Sequence, residues 1–192
     1  MKTLLLILIL TLSFQTSTKA DGIKDFEIEG ISIGDSLLDY FSKEEINKNI
    51  MPDYWKRIKD KTFILSEIES NNFNNYRRLQ FVFKRSDITY KLYGIHGIIW
   101  FEKDITSCKN KLKEISSEIQ SSLIYDKDHN FEDVEISGDR GKYSGTTYQL
   151  KNGFISIHCT DWSKKIEKEL YWVDHLSVNI KTEEYEIFLR KD

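Results

Sequence analysis

Cys108 and Cys159, the two cysteines of this 192-residue chain, constrain its fold more than any other feature. Their neighbours fix where each one points. Between Asp104 and Leu123, apolar side chains fall at Ile105, Cys108, Leu112, Ile115 and Ile119. Those steps alternate three and four, which draws one stripe along a helix. Lys109, Lys113, Glu114 and Ser117 occupy the other side, and Asp104 is placed to cap the first turn. Cys159 follows Ile155 and Ile157 at steps of two, and alternate residues of a strand share a face. A cysteine in a helix stripe and a cysteine in an apolar strand face specify a helix laid on a sheet, with both thiols between them. In an oxidising compartment such thiols pair. Closing the 51-residue separation is worth about 4 kcal/mol in the chain-entropy picture. A nucleophilic thiol would need an exposed, electropositive setting, which an inward stripe does not offer.

The N-terminus implies that compartment. Lys2 precedes an apolar run from Leu4 to Phe14, broken by Thr11 and Ser13, and Thr18-Lys19-Ala20 has the small-residue pattern of a cleavage site. These features read as a secretory signal peptide over residues 1–20, removed after Ala20. The run is shorter than the roughly 20 residues that span a bilayer. The expected product is a single exported α+β domain over 21–192, periplasmic or secreted, with no membrane anchor after cleavage. The whole chain has 28 basic and 31 acidic residues, and loss of Lys2 and Lys19 takes the net charge to −5. An anionic chain lacks the cationic surface that nucleic acid requires and gains nothing from anionic lipid. No nucleic-acid partner is expected. Aromatic residues at 13% argue for a packed core rather than a disordered chain.

Residues 26–33 alternate apolar and polar and read as a strand kinked at Gly30. A short helix over 36–41 with Asp35 as its cap follows, then a second from the Ser42-Lys-Glu-Glu45 capping box to about Asn49. Residues 54–61 fit a helix face or a loop. Strands are expected over 62–68, 79–84 and 89–102, with Gly94 and Gly97 marking bulges or close backbone packing. The helix of 104–123 comes next. Residues 126–141 are polar and read as a loop around a short strand at Val134. Residues 146–150 and 154–160 form a hairpin across Lys151-Asn152-Gly153. A charged connector over 162–170, a strand over 175–180 and a helix over 183–190 capped by Thr182 complete the chain. The recurrence of strands and then a helix, over 79–123 and 146–190, is ordinary for α+β domains. The expected architecture is α+β: a mainly antiparallel sheet packed on one long helix, with short N-terminal helices and a C-terminal helix.

Sites of chemistry are sparse. His158, Cys159 and Asp161 are metal-ligand types, but His158 and Cys159 are adjacent on a strand and face opposite ways. No metal and no cofactor are expected. Asp174 and His175, with His158 and His96, have the composition of a small polar site. They are the residues of the enzymatic alternative, a small hydrolase or metal-dependent enzyme using His158, Asp174 and His175. No G-x-S-x-G or H-E-x-x-H occurs. Gly138-Asp-Arg-Gly141 lacks the Lys-Ser/Thr ending of a phosphate loop and reads as a turn. The aromatic set Trp100, Tyr143, Tyr148, Trp162, Tyr171 and Trp172 lies on or beside the later strands. Tyr and Trp bury large areas at low entropic cost, so this set reads either as part of an aromatic-rich core or, displayed on an open sheet face, as the candidate binding surface.

Two stretches carry resemblances. Gly94-Ile-His-Gly-Ile-Ile-Trp-Phe, Cys108-Lys-x-Lys-Leu and Ile155-Ser-Ile-His-Cys-Thr-Asp-Trp162 resemble short exported proteins of AT-rich marine bacteria, a group that brings no activity with it. Gly30-Ile-Ser-Ile-Gly34-Asp-Ser-Leu-Leu-Asp39 resembles the opening of small periplasmic modules of the outer-membrane assembly lipoprotein and β-lactamase-inhibitor-protein type. That resemblance implies a turn into short helices and then an antiparallel sheet, in a module that binds other proteins. The expected function is a soluble, non-enzymatic, exported binding module whose partner is another envelope protein or a small ligand. A structural envelope protein is the remaining alternative.

Overall fold

The structure, a computed structural model, describes residues 22–52, 54, 55 and 58–191. The leader read over 1–20 and the mature start at Asp21 lie outside the described residues.

Local signals shape the N-terminal segment. Glu29 and Gly30 both take positive φ, 54° and 76°, the two-residue turn whose twist suits a tight hairpin. The segment 26–33 is therefore a reversal, not one kinked strand: β1 (Glu27–Ile28) pairs with β2 (Ile31–Ser32). A 3-10 turn at Leu37–Asp39 follows. Its cap is Ser36, whose Oγ accepts the Leu38 N–H at 3.2 Å. Asp35 instead accepts the Ser32 N–H at 2.9 Å and the Tyr40 O–H at 2.7 Å. α1 (Lys43–Lys48) starts at Ser42, whose Oγ accepts the Glu45 N–H at 3.2 Å and satisfies one orphan donor of the first turn.

Two antiparallel meanders build the sheet. The first is β3 (Phe63–Glu69), β4 (Arg78–Lys84) and β5 (Leu92–Glu102). The second is β6 (Lys127–Ile136), β7 (Gly141–Leu150) and β8 (Gly153–Trp162). β9 (Asp174–Thr182), the last strand of the chain, inserts between β5 and β8. The result is one seven-stranded sheet, ordered β3-β4-β5-β9-β8-β7-β6, with every neighbouring pair antiparallel. α2 (Ile105–Ser122) links the meanders, α3 (Lys164–Leu170) leads into β9, and α4 (Glu183–Leu189) follows it. The fold is mixed α+β and predominantly sheet, with nine strands and four α-helices among the described residues. Asp104 and Thr182 cap α2 and α4, accepting the N–H of Ser107 at 2.9 Å and of Tyr185 at 3.1 Å.

Two expected loops are regular structure. Residues 127–136 form the ten-residue edge strand β6, and most of its side chains are exposed. An edge strand beyond the covering helix buries neither face, so the inward/outward period is missing from its sequence. Its backbone pairing with β7 holds it in place. Gly138-Asp-Arg-Gly141 belongs to the β6–β7 turn, with Gly138 and Asp139 at positive φ. The connector 162–170 contains α3, capped by Ser163, and buries only Ile166.

Register sorts the sheet into two faces. Leu79, Phe81, Ile95, Ile157, Leu176 and Val178 turn toward α2 and the N-terminal segment and form the main core. Cys108 and Cys159, both buried there, are joined by a disulfide with Cα atoms 6.0 Å apart. On the opposite face, Phe63, Leu65 and Val82 pack under Tyr185 and Phe188 of α4 in a smaller core with Trp55. Gly94 lies beneath this helix. A Cβ there would stand 2.7 Å from the Tyr185 ring, so the glycine lets α4 approach the sheet. Gly97, on the α2 face, makes the same allowance for the Tyr76 ring.

Candidate functional site

The face not covered by α2 is mostly polar away from α4. Three cross-strand rows can be read directly from the register. Gln80, His96, Asn179, Ser156, Thr147 and His129 form one. Arg78, Ile98, Ser177, His158, Gly145 and Phe131 form the next. Trp100, His175, Thr160 and Tyr143 form the third. Side chains opposite one another on adjacent strands are about 5 Å apart at Cβ, so each row is a continuous strip of contacts.

At the end of the third row the face dips into a cleft of about 560 Å³, lined by Trp100, Trp162, Trp172, Tyr171, Tyr54 and Val173 over Arg78, Gln80, Ile98 and His175. Trp162 ends β8, and Trp172 lies in the short link between α3 and β9. Their rings meet edge to face with centroids 4.5 Å apart, and Trp162 also lies 6.0 Å from the His175 ring. Asp174 positions this corner. Its buried carboxylate accepts the Trp162 N–H at 2.8 Å, and burial raises its pKa. Tyr171 is 86% exposed. It terminates α3 in the left-handed region at φ 55°, a conformation that is uncommon for a bulky side chain and usual for glycine at a helix end.

The charged groups of the cleft are matched. The Arg78 and Arg77 guanidiniums sit 5.3 and 5.7 Å from the centre of the Trp100 ring. Arg78 pairs with Glu67 at 3.0 Å and Glu69 at 3.4 Å, and Arg77 pairs with Glu69 at 2.9 Å. Glu67 also accepts from Gln80 Nε2 at 2.6 Å. That contact turns Gln80 Oε1 toward His96 Nδ1, 3.3 Å away, and toward the Tyr54 hydroxyl at 3.5 Å. His96 Nδ1 therefore donates and its Nε2 is the acceptor nitrogen. His96 Nε2 and Arg78 Nε are buried without a hydrogen-bond partner among the described residues. His175 Nδ1 donates to the Val173 carbonyl at 2.9 Å, which leaves its Nε2 as an acceptor. Burial keeps these imidazoles neutral. It lowers His96 to about 3, helped by Lys181 and His158, and lowers His158 to about 4, helped by His175 and Lys181. Burial likewise lowers His175.

Of the aromatic set, Trp100, Trp162, Tyr171 and Trp172 meet in this cleft. Tyr143 lies on the same face further along the row, packed on Phe131 and His158 with centroids 5.3 and 6.1 Å apart. Tyr148 does not belong to the surface. It is fully buried on the α2 face beside Tyr125, because it alternates with Thr146 and Leu150 rather than with Tyr143. The enzymatic set is divided in the same way. His158 and His175 lie on the open face, whereas Asp174 is turned away from them and held by the Trp162 backbone. Among the described residues, no three histidine, cysteine or acidic side chains are grouped to hold a metal ion. Sequence reasoning missed Arg78, Gln80 and Tyr54. The signal for the first two was their alternation with Leu79 and Phe81 in an otherwise apolar strand.

Comparison of the chain with protein-family models, curated proteins and solved structures returns no match. The site is therefore read from its geometry.

Proposed function

We propose that this protein is an exported, non-enzymatic binding module whose ligand docks in the cleft framed by Trp100, Trp162, Tyr171 and Trp172. One observation carries the reading: a bulky tyrosine is held almost fully exposed, at a backbone conformation suited to glycine, on the rim of an aromatic cleft. Backbone strain that persists beside a concave site is a mark of function, and apolar clefts with a few convergent polar groups are the usual form of small-ligand sites. On this reading α2, stapled to β8, is the long backing helix of the sheet, and the open face is the working side. The reading as an exported protein rests on the leader and the buried disulfide. No helix among the described residues is long and apolar enough to cross a membrane.

The test is a small-molecule fragment screen followed through the indole N–H signals of Trp100, Trp162 and Trp172 in nuclear magnetic resonance. Fragments are expected to shift these signals first, and Trp172→Ala is expected to abolish the shifts while leaving the disulfide and the melting transition intact. Binding confined to the grooves beside α2 would overturn the proposal. Expression of the full chain with its leader, followed by mass measurement of the exported product, tests the address. A mature start at Asp21 is expected, and an uncleaved Met1 product retained in the cytoplasm would refute it.

A further inference from the structure

The ligand class can be narrowed by asking what charge the cleft accepts. This step rests on the reading of the cleft as the binding site. A cationic group seeking the π face of Trp100 finds two guanidiniums already there, from Arg77 and Arg78. An anionic group finds both guanidiniums engaged by Glu67 and Glu69. Taking Arg78 from them would leave Glu67, whose side chain is only 19% exposed, with an uncompensated charge in a poorly solvated place. The two cations and two carboxylates cancel, and the rest of the lining is neutral: indoles, phenols, the Gln80 amide and the unprotonated His175 ring. The cleft is matched to a ligand without net charge.

Its surface chemistry is of two kinds in close alternation. Broad aromatic faces stand on the walls. Between them lie single hydrogen-bonding groups of both senses: the exposed Tyr171 hydroxyl, which donates or accepts, and His175 Nε2 as acceptor. An uncharged ligand that offers both an apolar face and a rim of groups that donate and accept is a sugar ring. Its axial C–H bonds carry slight positive charge and lie favourably on the negative face of an indole. Each hydroxyl supplies one donor and two acceptor lone pairs. Tyr143 stands further along the third row, beyond the buried Thr160. We infer that the cleft binds a neutral saccharide, with Trp100, Trp162 and Trp172 as stacking platforms, Tyr171 as a rim clamp, and His175 reading a hydroxyl group.

The test uses the oxidised chain 21–192 and the same three indole signals. Four trisaccharides are titrated: the glucose and N-acetylglucosamine trimers, which are neutral, the glucosamine trimer, which is cationic, and the galacturonic acid trimer, which is anionic. At least one neutral trimer is expected to shift the indoles saturably. The charged trimers should bind at least about ten-fold more weakly, a difference of about 1.4 kcal/mol. Tyr171→Ala and Trp172→Ala should each weaken the neutral trimer about ten-fold or more without altering the melting transition. Affinity should be unchanged between about 50 mM and about 500 mM salt, because no charge is exchanged. Preference for a charged trimer, or no saturable shift with either neutral one, overturns the inference. An indole-sized apolar fragment run alongside separates the two levels. If it shifts the three indoles and no sugar does, the ligand class is wrong and the cleft stands. If nothing shifts them, both fall.

Discussion

Ile157 and His158 are neighbours on β8, yet they belong to different environments. Ile157 is fully buried beneath α2, within a core that takes in the disulfide and the N-terminal hairpin. His158 faces the other way, in a row with Ser177 and Gly145 and against the ring of Tyr143. The same contrast repeats at Val178 and Asn179 on β9, and at Ile95 and His96 on β5. One face of the sheet carries the main core. The other carries the smaller core under α4 and, beyond it, polar groups and aromatic rings. In an antiparallel sheet, burial of one face leaves the second free to be composed for another purpose.

Substitutions that touch only one face should separate these two roles. The largest effect is expected on the α2 side. The double variant Cys108→Ala/Cys159→Ala should lose about 4 kcal/mol of stability, the loop-closure term for a buried native staple, read as a lower urea midpoint at unchanged slope. Ile157→Ala should cost about 3 kcal/mol through lost burial and an unfilled cavity. Ser156→Ala, one residue away on the other face, should cost about 1 kcal/mol, the loss of the hydrogen bond its buried hydroxyl shares with Thr147 at 3.0 Å. Equal costs at 156 and 157 would show that the open face is packed as tightly as the covered one, and the contrast would be lost.

How far the two faces could be read beforehand follows from which signals are local. The caps at Ser42, Asp104 and Thr182 were legible because each motif spans only a few residues. The cysteine pairing was legible because a helix stripe and a strand period both pointed inward. β6 was not, since an exposed edge strand has no buried face to impose a period. α3 was not, since one inward residue, Ile166, draws no stripe. The insertion of β9 between β5 and β8 joins segments some 80 residues apart (Ile95 with Ile180, for example), and nothing local announces it. At the site, three tryptophans and Tyr171 were legible as a set, but their meeting depends on that insertion. Tyr148 shares its side of the strand with Leu150 and not with Tyr143, and that alternation places it in the core.

Acid should act on the open face first. His96, His158 and His175 are kept neutral in the fold, chiefly by burial, with pKa values below that of a free imidazole. Above pH 6.5 the folded and unfolded chains carry the same charge at these positions, and stability is flat. As pH falls below about 6.5, the unfolded histidines take up protons that the folded ones refuse, so stability falls. Each neutral histidine contributes a slope of up to about 1.4 kcal/mol per pH unit. The loss continues down to the folded pKa, about 4 for His158 and about 3 for His96. Between pH 6.5 and about 5, ordinary carboxylates are still ionised, so this window reports chiefly the histidines, with Asp174, raised by burial, acting in the opposite sense. Urea unfolding across it should show the slope in the native chain and a smaller one in His96→Gln. A flat profile would mean that the open face is solvated enough to accept the charge.

The smallest effect is also the most discriminating. Tyr171 ends α3 at φ 55°, where an L side chain is strained by roughly 1–2 kcal/mol and glycine is not. The ring makes little return for that strain, since it is 86% exposed. Tyr171→Gly should therefore raise stability by about 1 kcal/mol even after allowing for the added freedom of the unfolded chain. Tyr171→Ala should leave it nearly unchanged, because it keeps the strained conformation and loses an exposed ring. If the tyrosine stays at a glycine position because a ligand needs it, Tyr171→Gly should bind the neutral trimer as poorly as Tyr171→Ala does, with a higher melting temperature. A variant that gains stability and loses ligand together would locate function on the open face. Gain of stability with affinity retained would leave the strain without a purpose and return Tyr171 to an accident of the helix end.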